Sequence, residues 1–255
     1  MGLSGAQGSG KSTLAAELQR LLQRRGLSCV ALSLDDFYLT HEQRSTLARR
    51  VHPLLQTRGV PGTHDVALAL EVLGALQRSG EVALPSFDKA RDDRRPLAEW
   101  RRLHAPLKIV LFEGWCLGAP PQLEAELAQP INALERDEDA DGEWRRGVNV
   151  ALAGEYQSLF ARLDELVFLA APDFEVVQRW RLEQENELRR LAAEQGGDRS
   201  RMMDDAALVR FVSHYERLTR HMLECMPARA NTVLRLDSAR AMTLVPAALD
   251  ETREQ

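Results

Sequence analysis

The chain has no surplus of basic residues to lay along a polyanion. Its 33 lysines and arginines stand against 38 aspartates and glutamates, a formal net charge of −5 over 255 residues. Nucleic-acid surfaces are built on a basic face, so charge excludes that class of partner. No apolar run approaches the roughly 18 residues of a membrane-spanning helix, and no secretory leader is visible. Cysteine is scarce. Cys29, Cys116 and Cys225 are scattered and odd in number, which argues against a disulfide framework and a zinc site and fits a reducing cytoplasm. Internal repeats are absent. What is present is a 44% hydrophobic chain, enough for one large core or two small ones.

Five short apolar runs recur at Met1–Ser4, Ser28–Leu34, Lys108–Glu113, Glu165–Ala170 and Thr232–Leu236. Runs of this length, rich in Val, Leu and Ile, are the pattern of buried parallel strands. Helical periodicity fills the intervals, notably Asp65–Arg78, Glu143–Leu163, Phe174–Glu194 and Asp204–Met226. Alternation of this kind predicts a three-layer α/β fold on one parallel sheet, formed by a single domain over residues 1–255. The acidic stretch Glu135–Gly142 is expected to be a solvated loop. Only Met1, Gly2 and Leu3 precede the first motif, where a strand usually supplies about 5–6 residues. The expectation is that the natural start lies upstream.

That motif is Gly5-Ala6-Gln7-Gly8-Ser9-Gly10-Lys11-Ser12, which fits G-x-x-x-x-G-K-[ST] and is followed from Thr13 by a helical pattern. Glycines let the backbone turn so that successive N–H groups point at phosphate oxygens, and the helix start adds its positive end. Lys11 is placed to reach the β- and γ-phosphates and the Ser12 hydroxyl to ligate Mg²⁺. Together they predict a bound nucleoside triphosphate. The second apolar run ends in Asp35-Asp36, at the sheet edge where ligands bind. Two carboxylates there divide the work, Asp35 as the base for an attacking hydroxyl and Asp36 toward the metal. The third run ends in Glu113-Gly114, with Glu113 expected at Mg²⁺ directly or through water.

Residues 39–105 form a long insertion with cationic loops, including Arg58, His64, Lys89 and Arg94 as candidate binders. Arg91 and Arg95 are read as surface ion-pair partners. Residues 174–200 carry Arg179 and Arg181 on a helix able to act as a lid over the transferring phosphoryl group, with Gly196-Gly197-Asp198 as a flexible break. The loop Asp237–Arg240 is a candidate edge for the adenine pocket.

Taken together, GAQGSGKSTL, LDDFYLT, HPLLQTRGVPGTHD, FDKA followed by DDR, FEGWCLG, VN with a downstream Tyr, and WRLEQE resemble the plant- and fungal-type glycerate kinases and their bacterial relatives. These sit within the larger group of P-loop kinases that includes uridine kinase, phosphoribulokinase and pantothenate kinase. The resemblance covers Gly2 to about Asp237. It implies a five-stranded parallel sheet, ATP on the loop Gly5–Thr13, Asp35 as catalytic base, Glu113 serving the metal and Arg179 and Arg181 as lid arginines. It further implies an acceptor pocket lined by Tyr38, Arg58, His64, Asp65, Lys89, Arg94, Asn149 and Tyr156. One departure stands out: Ala90-Arg91-Asp92-Asp93-Arg94 is shorter than the family loop and has no glycine.

The reading is therefore ATP- and Mg²⁺-dependent phosphoryl transfer to a small anionic hydroxyl compound, with D-glycerate at its 3-hydroxyl first among acceptors. A nucleoside, pantothenate or other metabolite kinase on the same scaffold is the enzymatic alternative. A nucleotide-binding switch is the non-enzymatic one, against which the missing Asn-Lys-x-Asp motif counts. Oligomeric state stays open, with a monomer compatible.

Overall fold

In a computed structural model, which describes residues 1–195 and 204–245, the apolar runs become neighbours in one sheet. The strands are β1 (Gly2–Gly5), β2 (Cys29–Ser33), β7 (Ile109–Gly114), β8 (Leu166–Ala170) and β9 (Thr232–Leu236), all parallel. A sixth strand, β10 (Met242–Val245), adds antiparallel to β9, giving the order β10-β9-β8-β1-β7-β2. The five-strand expectation missed it because its residues are mostly exposed and carry no buried-strand signature. β1 is central and short: Leu3 pairs with Glu113 on one side and Val167 on the other.

Two small antiparallel pairs belong to the insertion, β3 (Gly80–Leu84) with β6 (Arg101–Ala105) and β4 (Phe87–Asp88) with β5 (Asp93–Arg94). The helices are α1 (Lys11–Arg24), α2 (His41–Arg50), α3 (Val66–Ala75), α4 (Ala133–Glu138), α5 (Glu143–Ala153), α6 (Glu155–Phe160), α7 (Phe174–Gln195) and α8 (Asp205–Cys225). The predicted helix Glu143–Leu163 is thus two helices, broken at Gly154, which caps both. The predicted break at Gly196-Gly197-Asp198 lies outside the described residues.

Alternation along the strands sorts the core. Val30, Leu32, Phe112 and Phe168 join residues of α3, α6 and α8 in one buried cluster. α1 packs on β1, β2 and β7, and a second cluster gathers Leu169, Phe174, Val177, Trp180, Val212 and Leu236 where α7 and α8 meet the sheet. Among the described residues no helix is long and apolar enough to cross a membrane.

The acidic stretch 135–142 is not the solvated loop its composition predicts. Its first four residues end α4, and it buries two carboxylates, Glu135 against Arg217 at 2.6 Å and Asp139 against Arg145 at 2.9 Å. Each arginine also caps free carbonyls: Arg217 those of Glu126 and Gln129, Arg145 those of Leu127 and Ala128. A buried charge survives only when paired and hydrogen-bonded, which is the condition met here. Sequence spacing does not reveal that Glu135 meets a partner 82 residues away.

Candidate active site

The carboxyl ends of β1, β2 and β7 open into a cleft of about 700 Å³, lined by Gln7, Gly8, Lys11, Ser12, Asp35 and Glu113 among others. Its floor is the phosphate loop. Gly10 precedes α1 at φ 87° and supplies no side chain to cap it, so the first amides of α1 are left for an anion. Gly8 turns at φ +78°, and a Cβ there would lie 2.8 Å from the Trp180 Cβ, so helix α7 packs directly onto the loop. Lys11 Nζ donates to the Ala6 carbonyl at 3.3 Å, and the buried Ser9 closes the turn with its amide on the same carbonyl.

Ser12 Oγ donates to Glu113 Oε1 at 2.8 Å. A hydroxyl and a carboxylate held together beside a phosphate loop are hard oxygen donors of the kind Mg²⁺ takes alongside substrate phosphates, so the residues present fit that ion. Asp36, expected to share this task, is drawn the other way: its Oδ1 accepts the Phe87 amide at 3.2 Å and it does not line the cleft. Burial, and then the neighbouring carboxylates of Asp35 and Glu113, hold its carboxyl above the ordinary range. Asp35 and Asp36 part because adjacent residues in the short 3-10 turn Leu34–Phe37 point in different directions.

Asp35 does face the cleft. Ser33 Oγ accepts its amide at 3.3 Å and starts the turn, while Leu34 and Phe37 anchor it in the core. The Tyr38 hydroxyl donates to Oδ1 at 2.7 Å, and Lys89 Nζ to Oδ2 at 2.6 Å. Burial works against its ionisation, but Lys89, Tyr38 and Lys11 outweigh it and hold the carboxyl below its usual value.

The insertion is fastened to this turn by backbone pairing. Leu39 N–H donates to the Thr63 carbonyl at 2.9 Å and Asp65 N–H to Phe37 at 2.7 Å, which brings the segment Arg58–Asp65 alongside Asp35. Arg58 reaches the cleft, ion-paired to Asp92 and lying over the Phe87 ring at 5.6 Å. Asp92 is shared with Arg44, a 1% exposed side chain that also donates to the carbonyls of Leu39, Gln56 and Asp92. Trp115 Nε1 donates to the Gly59 carbonyl at 2.8 Å and the Tyr215 hydroxyl to the Arg58 carbonyl at 2.9 Å. A Cβ on Gly59, at φ +129°, would fall on that hydroxyl.

Four residues expected in the acceptor pocket support it from behind. His64 is buried, its Nδ1 on the Tyr156 hydroxyl at 2.6 Å, and burial depresses its pKa to about 4, leaving a neutral ring. Tyr156 is itself fully buried and accepts the Gly62 amide at 3.0 Å. Arg94 spends its guanidinium on the Tyr38 carbonyl and on Asp65, each at 3.0 Å, while Asp65 caps α3 through the Leu68 amide. Asn149 clamps the turn at Gln122, accepting its amide at 2.8 Å and donating to its carbonyl at 3.0 Å. None of these five residues (Asp65 included) lines the cleft. Loop position and residue type marked His64 and Arg94 as binders and the family resemblance added the others; in the fold they act as struts. Arg95, read as a surface partner, does pair with Asp88 and Glu99.

On α7 the two lid arginines part company. Arg181 lines the cleft, 3.0 Å from Glu185 and over the Phe211 ring at 5.8 Å. Arg179 is exposed and outside the cleft lining, since two positions on a helix are turned about 200° apart. Unforeseen lining residues are Trp115, Glu183, Gln184, Glu187, Phe211 and Tyr215. An aromatic on an amphipathic helix reads as core, so only α8's placement exposes the role of Tyr215. Arg240 Nε donates to the Gly8 carbonyl at 2.8 Å, which seats the loop after β9 on the phosphate loop.

A family model for the phosphoribulokinase / uridine kinase family matches residues 1–119. An uncharacterized kinase of Schizosaccharomyces pombe is 38% identical over 226 residues, covering 84% of this chain and 77% of that protein. A chloroplastic D-glycerate 3-kinase of Arabidopsis thaliana is 34% identical over 227 residues, covering 84% of this chain but 45% of its own length. The solved structure of a D-glycerate 3-kinase from Cryptococcus neoformans superposes with a TM-score of 0.72 over 96% of this chain and 88% of that one; at 24% identity the likeness is one of fold. The motifs, the topology and these relatives agree on a P-loop kinase. The chain belongs to the phosphoribulokinase / uridine kinase family.

Proposed function

We propose that this kinase transfers the γ-phosphoryl group of ATP to the hydroxyl of a small hydroxy acid, D-glycerate first among them. One observation carries the reading: Asp35 faces the phosphate-loop cleft with two cations of the insertion, Lys89 and Arg58, lining the same space. A carboxylate base beside a cationic wall suits an acceptor with a hydroxyl at one end and an anionic group at the other. The relative from Arabidopsis, named for D-glycerate, supports the same choice.

The mechanism follows from position and charge. Phosphoryl transfer asks the protein for alignment and charge neutralisation more than for covalent chemistry. The loop amides and Lys11 hold the phosphates, and Arg181 meets the charge that builds on the transferring group. Asp35 takes the proton of the acceptor hydroxyl as its oxygen bonds to the γ-phosphorus. Arg58 and Lys89 orient the acceptor's anionic end. Ser12 and Glu113 would hold Mg²⁺, which when bound supplies further positive charge between the phosphates.

The test is ADP release with ATP and Mg²⁺ across D-glycerate, uridine, cytidine and pantothenate. D-Glycerate should give turnover and a phosphorylated product at the terminal hydroxyl. Turnover with a nucleoside and none with D-glycerate overturns the acceptor.

A further inference from the structure

Both carboxylate oxygens of Asp35 are engaged by the protein itself, Oδ1 by the Tyr38 hydroxyl and Oδ2 by the Lys89 ammonium. A base must present an oxygen to the hydroxyl it deprotonates, and an ammonium at 2.6 Å favours the ionised carboxylate over its protonated form. The two partners differ in freedom. Tyr38 is 4% exposed, stacked on His64 at 4.6 Å and edge-on to Phe87. The Lys89 side chain is 61% exposed, on the turn between β4 and β5. Its departure disturbs no core packing, whereas moving Tyr38 breaks its contacts with two rings.

The cleft is wide enough, at about 700 Å³, to admit water beside a bound triphosphate. An unguarded base there would activate water: its oxygen would bond to the γ-phosphorus, the bond to the β–γ bridging oxygen would break, ADP would leave with the electron pair, and the proton would pass to Asp35. We propose that Lys89 is a latch on Asp35, engaging the base while no acceptor is present and released when an anionic acceptor competes for its charge. The latch suppresses wasteful hydrolysis and ties release of the base to the acceptor's negative charge. It rests on the role given to Asp35 above, but its main test needs no acceptor.

The chain has three lysines, Lys11, Lys89 and Lys108, and only the first two line the cleft. In the full chain with ATP and Mg²⁺ and no acceptor, Lys89→Ala should raise ADP release about tenfold, a fraction of what a general base contributes. Lys89→Arg, which keeps the charge, should raise the acceptor-free rate less than Lys89→Ala does. Asp35→Asn added to Lys89→Ala should erase the gain. With D-glycerate, Lys89→Ala should lower the ratio of acceptor-dependent to acceptor-free turnover at least about tenfold. An unchanged acceptor-free rate in Lys89→Ala, or a gain that survives loss of Asp35, overturns the latch. A second readout needs no turnover: with ¹⁵N-labelled lysine, Asp35→Asn should shift the Lys89 ammonium resonance and leave that of Lys108 in place, and an unmoved Lys89 signal also overturns it. The failures are distinguishable. No turnover of D-glycerate by the parent protein removes the acceptor proposed above, while the hydrolysis and resonance results judge the latch separately.

Discussion

The two ends of the cleft are built by different physics. The nucleotide end is mostly local: eight consecutive residues, one turn and one helix start supply its donors, and the long-range contacts, Ser12 to Glu113, Arg240 to the Gly8 carbonyl and Trp180 against Gly8, only brace it. The acceptor end is assembled from afar. Arg58 is held through its carbonyl by Tyr215 and through its guanidinium by Asp92, and the next carbonyl is held by Trp115. The first kind of site tolerates change elsewhere in the fold, because backbone amides in a fixed turn cannot wander. The second depends on struts that never touch substrate. It is correspondingly the end on which relatives can diverge in acceptor.

That contrast can be broken, and the sharpest attempt concerns the base at the boundary. Asp35→Asn should lower turnover by about 10²–10⁴-fold while ATP still binds, as loss of a general base does. Near-parental turnover would remove Asp35 from the chemistry. Next come the two arginines of α7. Arg181→Ala should cost about 10²–10³-fold in turnover, the scale for losing one preorganised donor, whereas Arg179→Ala should stay within about threefold. Equal effects would mean that the helix faces described here are wrong.

The struts make predictions of stability rather than rate. His64 is buried and neutral, with its pKa near 4 against an ordinary 6.5. As pH falls below 6.5 the unfolded chain takes up a proton that the native ring refuses until about pH 4. Stability is therefore full above the unfolded value and falls across that window, by about 3 kcal/mol from this group. His214, also buried and depressed to about 4, adds in the same direction. Urea midpoints at pH 7 and pH 4.5 check this, and His64→Asn should flatten part of the slope; an unchanged slope in that variant would contradict a neutral native ring. Smaller still, Gly59→Ala should destabilise by about 1–3 kcal/mol, since its Cβ collides with Tyr215, and should raise the acceptor KM by displacing Arg58. Thermal unfolding and acceptor titration read the two effects, and a variant with unaltered stability and KM would show that the clamp does not hold Arg58.

Legibility in the sequence followed the same division. The glycine pattern, the lysine, the strand ending in Glu113 and the pair at Asp35 were readable because each rests on neighbours within a few residues. The five parallel strands were readable because a strand buried on both faces is apolar throughout. His64 and Arg94 read as binders for the opposite reason, while Asn149 and Tyr156 entered only through the family resemblance. A polar residue in a loop looks the same whether it meets a ligand or a protein group 29 or 92 residues away. Tyr215 and Trp115 escaped notice because an aromatic reads as core until its hydroxyl or indole N–H is seen to hold a distant backbone.

Sequence alone determined that the chain folds as alternating strands and helices and that it carries a phosphate-loop motif near residue 11, because period and short spacing are local properties. Only the tertiary structure decided that Arg181 and not Arg179 faces the cleft, and that Asp36 turns from the metal donors. It also decided that Lys89 closes on Asp35 from 54 positions along the chain. Those outcomes depend on which faces pack against which, and packing is a property of the whole fold rather than of any window of residues.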